Sequence, residues 1–230
     1  MKQLKKLGLR IMEELYITKK QVVNIISDYI QPLMTENGFT WYKSKEEFIK
    51  KSKFENLYLS FAIVNFWPLK QDYKISLSVK FNQFQSIKAL FSHNKETKNH
   101  STIYKSLILN NSYELGFKEL YTTVDIEIAK KESFDLIKKE AFVFFDEFSN
   151  LDSYVEDCKN SFFKYYLFNS LIEYVILLKL TFNLIDYENI RKNFLYFAQK
   201  SETTDYEFLT EEEKVIKLKK LFDYLDNLKN

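Results

Sequence analysis

Glycine, cysteine and arginine are scarce in this chain, and each scarcity closes off a class of function. Only 3 glycines occur in 230 residues, and Gly8, Gly38 and Gly116 stand far apart. Neither a G-x-G-x-x-G dinucleotide turn nor a G-x-x-x-x-G-K phosphate loop can be assembled from them. The single cysteine, Cys158, has no partner for an internal disulfide or a C-x-x-C metal or redox motif, which fits a reducing compartment. All but Arg10 and Arg191 of the 34 basic residues are lysine, so the planar fork that favours phosphate and guanine recognition is nearly missing. Long apolar runs are missing too. The longest, residues 175–184, contains Lys179 and falls well short of the roughly 20 residues of a membrane span. Glu13 and Glu14 interrupt the N-terminal apolar pattern before it reaches signal-peptide length. The expectation is a cytoplasmic protein that does not enter a membrane.

Apolar material is plentiful: hydrophobic residues make up 46%, and 22 Phe and 16 Tyr are present. Such a chain buries a real core. The net charge of +2 hides a polarity, because residues 1–100 carry 17 Lys/Arg against 9 Asp/Glu (+8) and the remainder 17 against 23 (−6). A field of this kind steers charged partners.

Periodicity divides the chain. Residues 1–17 suggest a short amphipathic arm, with Leu4, Leu7, Ile11 and Leu15 at helical spacing. Thr18 with Gln21 makes a capping box for a helix striped by Val22, Ile26, Ile30 and Leu33, closed by Gly38 and expected to kink or break near Tyr29 because of Pro32. The period then changes to 2. Weak edge strands are expected around Phe39 to Tyr42 and Glu47 to Lys51, and a central strand covered on both sides over residues 57–67, ended by Pro68. A half-solvated strand is expected over residues 73–82, with Lys74, Ser76, Ser78 and Lys80 facing water. A short helix is expected from Ser86 to Phe91, a further strand over residues 120–129, and a Phe-rich helix from Ser133. Ser149 or Asn150 then caps a short helix through Cys158. From Ser161 all reads as helix: 161–184, 186–200 with Asp186 as N-cap, and 210–229 opened by Thr210 and Glu213. The fold class is α+β: an antiparallel meander of about four strands packed by an N-terminal and a Phe-rich helix (residues 1–160), followed by a helical part (161–230).

Three motifs, IQPLMTENGF at residues 30–39, the strand at residues 57–67 and FFDEFSNLDSYVED at residues 144–157, together resemble the bacterial domain-of-unknown-function family 4304, over residues 18–160. The resemblance implies no particular activity. Members of that family are often found near toxin and immunity genes, which implies an immunity or toxin-neutralising role.

Chemistry is thin. His93 and His100 sit in a polar loop with no third ligand. Cys158 stands beside Tyr154 and Val155 as a buried structural thiol. Asp125, Glu127 and Lys130 suggest a nuclease core, but on a strand Lys130 would face away from the two acids. Lys43, Lys45, Lys50, Lys51 and Lys53 among Trp41, Tyr42, Phe48 and Phe54 suit either a nucleic-acid surface or a solvated edge hairpin. No catalytic residue, metal or cofactor is assigned. The sequence favours a non-catalytic protein-binding domain of the immunity type, whose partner is another protein, with a toxin as the specific case. Its partner-binding residues would be the acidic Glu202, Asp205, Glu207, Glu211 and Glu212, which imitate a phosphate backbone, with Trp41, Asn65 and Trp67 from the sheet. The alternative is a nucleic-acid-associated or enzymatic component of a bacterial defence system, using the basic N-terminal half.

Overall fold

A computed structural model describes residues 17–67, 70–91, 102–113, 116–203 and 209–228, with the backbone alone at 65–67. The amphipathic arm, apart from Ile17, and both histidines lie outside these residues. The chain forms two compact units: one of residues up to Val79 together with Ile103–Asp146, the other of Lys80–Thr102 and Glu147 onward.

The first unit opens with α1 (Lys19–Glu36). Thr18 Oγ1 accepts from the Gln21 N–H at 3.2 Å and Gln21 Oε1 accepts from the Thr18 N–H at 2.8 Å, the capping box expected. The helix runs unbroken through Pro32. Pro32 lies on the exposed side, while Ile26, Ile30 and Met34 hold the buried side, so the carbonyl freed by the missing N–H faces water. Past the C-cap Asn37, Gly38 takes φ +83°. Its N–H donates to the Thr35 carbonyl and that of Phe39 to the Met34 carbonyl, each at 2.9 Å, a Schellman closure that turns the chain into the sheet.

Six strands follow: β1 (Thr40–Tyr42), β2 (Glu47–Lys51), β3 (Glu55–Trp67), β4 (Lys70–Phe81), β5 (Ile103–Leu107) and β6 (Lys118–Leu120). They run in the order β1-β2-β3-β4-β5, and β6 also pairs with β4. Registers such as Phe48↔Leu59, Leu77↔Lys105 and Asp72↔Glu119 are antiparallel. One face carries the core: Trp41, Phe48, Phe61 and Tyr73 meet ring to ring at 4.6, 6.2 and 6.1 Å in succession.

Two strands exchange the burial expected of them. β4 is buried on both faces, including Lys74, Ser76 and Ser78, whereas among the described side chains of β3 only Leu59, Phe61 and Ile63 are buried and Val64 is exposed. The alternation of β4 was legible, but it marks two kinds of buried surface rather than core and water.

The strand expected over residues 120–129 is corrected. Only Leu120 belongs to a strand; α3 (Thr123–Leu136) starts at once. Thr122 Oγ1 accepts from the Asp125 N–H at 3.2 Å, and Asp125 Oδ2 accepts from the Thr122 N–H at 2.8 Å. This capping box nucleates a helix whose buried residues, Ile126, Ala129 and Ser133, follow the helical period, leaving Val124 and Ile128 exposed. A π-turn (Ile137–Ala141) leads into α4 (Phe142–Glu147). Its wider turn shifts the phase, so that Ile137, Ala141, Phe144 and Phe145 are buried.

The second unit holds α2 (Asn82–Phe91), which begins four residues before the expected Ser86, and α5 (Asp152–Tyr165), α6 (Phe168–Leu180), α7 (Leu184–Lys192), α8 (Phe194–Lys200) and α9 (Glu211–Asp226). The single helix expected over 161–184 is broken at Tyr166, which is left-handed at φ +49°. There the backbone leaves the helix to pair with Glu202, whose carbonyl accepts from the Phe168 N–H at 2.8 Å. The helix expected over 186–200 starts at Leu184 instead and breaks at Asn193, and Asp186 accepts from Asn183 Nδ2 at 3.4 Å rather than capping. The Thr210–Glu213 capping box forms as expected. α6 is buried nearly all round and is the core of this unit. No helix among the described residues is long and apolar enough to cross a membrane.

Candidate functional site

The residues singled out from sequence do not gather into one site among the described residues. Glu202 is exposed but its backbone is committed to the bridge with Leu167. Glu211 and Glu212 are exposed in the first turn of α9, where acids complement the helix dipole. Asp205 and Glu207 lie outside the described residues, as do the side chains of Asn65 and Trp67. Trp41 is half-buried against Phe48 and Phe61, a packing role. Asp125 is a capping residue, and Glu127 pairs with Lys130 at 2.5 Å along α3, so the nuclease arrangement dissolves with the strand that suggested it. Lys51 lies over the Tyr42 ring at 4.9 Å and Lys53 over Phe54 at 5.4 Å, as in an edge hairpin. Among the described residues no group of three or more His, Cys, Asp and Glu could hold a metal ion.

Cys158 is buried as expected. Burial pushes its thiol up to about 12, with Glu173 adding to the shift. The folded chain therefore keeps the proton where the unfolded chain loses it, and the thiol's contribution to stability declines as pH rises through the unfolded value toward about 12. Alkylation by iodoacetamide at pH 8 is expected to be more than about 100-fold slower than in the urea-unfolded chain; labelling at the unfolded rate would place the thiol at the surface.

A cleft of about 170 Å³ lies between α3 and the segment after β5, lined by Ile108, Asn110, Glu132, Asp135, Leu136 and Lys139. Its Glu132 and Asn110 are already tied to Lys118, whose Nζ donates to Glu132 Oε2 at 2.6 Å and to the Asn110 carbonyl at 3.1 Å. That cleft is structural.

The unexpected site is the second face of the sheet. α3 meets the sheet on the core face, where Tyr73 Oη and Ser133 Oγ are 3.0 Å apart. On the opposite face β4 presents Lys70, Asp72, Lys74 and Ser76. Among the described residues the partners of these four side chains come from the sheet and from the segment joining β5 to β6, and none from a helix. Aromatic rings stand over the row. The Lys74 ammonium lies 5.3 Å from the Phe117 ring and 5.6 Å from that of Tyr104, a desolvated cation–π arrangement. Ser76 Oγ and Tyr104 Oη are 2.5 Å apart. Burial raises the Tyr104 phenol, but Ser76, Ser106 and the Lys74 ammonium outweigh it, and the phenol ends below its ordinary value. Tyr104, Tyr121 and Tyr113 remain 59%, 49% and 42% exposed.

At one end of the row the Lys70 ammonium hydrogen-bonds Glu119 directly and lies 5.4 Å from the Tyr113 ring. Tyr121 Oη donates to Glu119 Oε2 at 2.7 Å. Lys70 is held above its ordinary value, chiefly by Glu119, and Glu119 below its own, chiefly by Lys70. Beneath them Asp72 is wholly buried. Lys70 Nζ comes within 3.3 Å of Asp72 Oδ1 and the Tyr113 phenol stands close to the same carboxylate, but among the described residues neither carboxylate oxygen accepts a hydrogen bond of full geometry. A buried carboxylate left in this way is expensive.

These features define an α+β protein with a helix-backed sheet and a second, polar face whose buried side chains lie under tyrosine rings. Comparison with family models, with curated proteins and with solved structures found no match to the chain. Sequence reading missed this face because it took the polar residues of β4 as solvated. The available signal was the row of aromatics, Tyr104, Tyr113, Phe117 and Tyr121, in the stretch that pairs with β4.

Proposed function

We propose that this protein binds another protein through the tyrosine-lined face of its sheet, without chemistry of its own. The observation that carries this reading is the set of exposed rings, Tyr104, Tyr113 and Tyr121, standing over buried polar side chains. Tyrosine offers a large amphipathic contact at small entropic cost and is enriched where interfaces concentrate their energy. Fixed phenols lower that cost further. Nucleic acid is the weaker candidate, since Asp72, Glu119 and Glu47 share the face and repel phosphates. In its narrower form the proposal is an immunity-type role, as the resemblance to family 4304 implies, with a toxin as the bound partner. The acidic residues Glu202, Glu211 and Glu212 would then be a second surface at most.

Capture from the source cells tests this with three forms of the chain. Tyr104→Ala with Tyr121→Ala is expected to reduce recovery of the partner at least about tenfold, whereas Glu211→Lys with Glu212→Lys leaves it unchanged. Undiminished capture by the tyrosine variant, or loss of the captured material on nuclease treatment, would overturn the reading.

A further inference from the structure

We infer that Asp72 is the receptor for a guanidinium group, an arginine side chain that the partner inserts between Tyr113 and Tyr121. The inference rests on the reading of this face as the recognition surface. Four observations lead to it. Asp72 is wholly buried, yet among the described residues neither carboxylate oxygen accepts a hydrogen bond of full geometry, although the Lys70 ammonium and the Tyr113 phenol stand near it. Its carboxylate lies on the second face, since it shares that face with Lys70 and stands opposite Glu119 in the β4–β6 register. Lys70 is held by Glu119 and only leans on Asp72 Oδ1 at 3.3 Å. It can therefore give up Asp72 without losing Glu119. Finally, the rings of Tyr113 and Tyr121 rise beside it, half-exposed.

Two unsatisfied oxygens side by side match the parallel N–H pair of a guanidinium better than the single charge of an ammonium. A planar cation also stacks on phenol rings. Glu119 supplies a second negative charge at the mouth, so that Lys70 and the incoming cation face two carboxylates. The phenols of Tyr113 and Tyr121 are both raised, the first by burial and then by Asp72, the second by Glu119; they stay neutral, so the negative charge that meets the cation is that of Asp72 and Glu119.

The full chain, labelled with ¹⁵N, would be titrated with methylguanidinium chloride and, at matched ionic strength, with methylammonium chloride. Saturating amide shifts confined to residues 71–73 and 118–121 are expected with the guanidinium, at least tenfold tighter than with the ammonium, and at least tenfold weaker in Asp72→Asn. Linear shifts, equal response to both cations in the wild-type chain, or an unchanged response in Asp72→Asn would each overturn the inference. Partner capture separates it from the reading it rests on. If Tyr104→Ala with Tyr121→Ala loses the partner while Asp72→Asn keeps it, the surface stands and the arginine site falls. If the guanidinium saturates but capture ignores the tyrosines, the surface reading fails by itself.

Discussion

Replacing Phe162 by alanine is expected to destabilise the second unit by about 3–5 kcal/mol, the usual range for emptying a buried aromatic site. Phe162 is fully buried, and its ring meets those of Phe163, Tyr166, Phe197 and Tyr174 at 5.0, 5.6, 5.9 and 6.5 Å. It joins α5 to α6 and α8 just before the chain breaks at Tyr166. The cavity would be walled by large rings that cannot collapse into it, which places the cost high in the range. Urea unfolding with hydrogen exchange checks this: amides of α5 and α6 should lose protection first. A loss below about 1 kcal/mol, typical of a surface position, would remove Phe162 from the core.

Tyr73→Ala is expected to cost the first unit a similar amount, about 3–5 kcal/mol, and Tyr73→Phe only about 1 kcal/mol. The ring is fully buried against Phe61 at 6.1 Å, so its removal leaves a hole at the centre of the aromatic row. The hydroxyl makes one hydrogen bond, with Ser133 Oγ at 3.0 Å. Ser133 Oγ also donates to the Ala129 carbonyl at 2.6 Å, so it is not orphaned when the phenol goes. Burial holds the phenol well above its ordinary value, so it stays neutral and the difference between the variants reports packing against one neutral hydrogen bond. Equal costs for the two would mean that the hydrogen bond, rather than the ring, fixes α3 on the sheet.

Local signals were legible wherever the chemistry is local. Thr18 with Gln21 and Thr210 with Glu213 announced their helices because a capping box is complete within four residues. Gly38 announced the turn out of α1 because its left-handed backbone, at φ +83°, suits glycine. Thr122 with Asp125 is a box of the same kind, but the alternation over residues 120–129, which a short helix with mixed faces also produces, reads as a strand. The breaks at Tyr166 and Asn193 had no comparable mark. Tyr166 leaves the helix because its backbone pairs with Glu202, a partner 36 residues away in the numbering.

The candidate face was half legible: the alternation over residues 73–82 separated Lys74, Ser76 and Ser78 from the core residues correctly, but it did not reach Lys70 and Asp72. Their burial was not written there, since it depends on rings that β5 and the segment joining it to β6 bring across the sheet. The sequence by itself determined the α+β class, the meander, the capped helix starts and the exclusion of glycine phosphate loops, all properties of neighbouring residues or of composition. Only the tertiary structure decided which strand is covered on both sides, where the long helices break, and that Asp72 lies wholly buried beneath Lys70 and Glu119. Burial depends on what the rest of the chain places over a residue, and no window of sequence contains that surface.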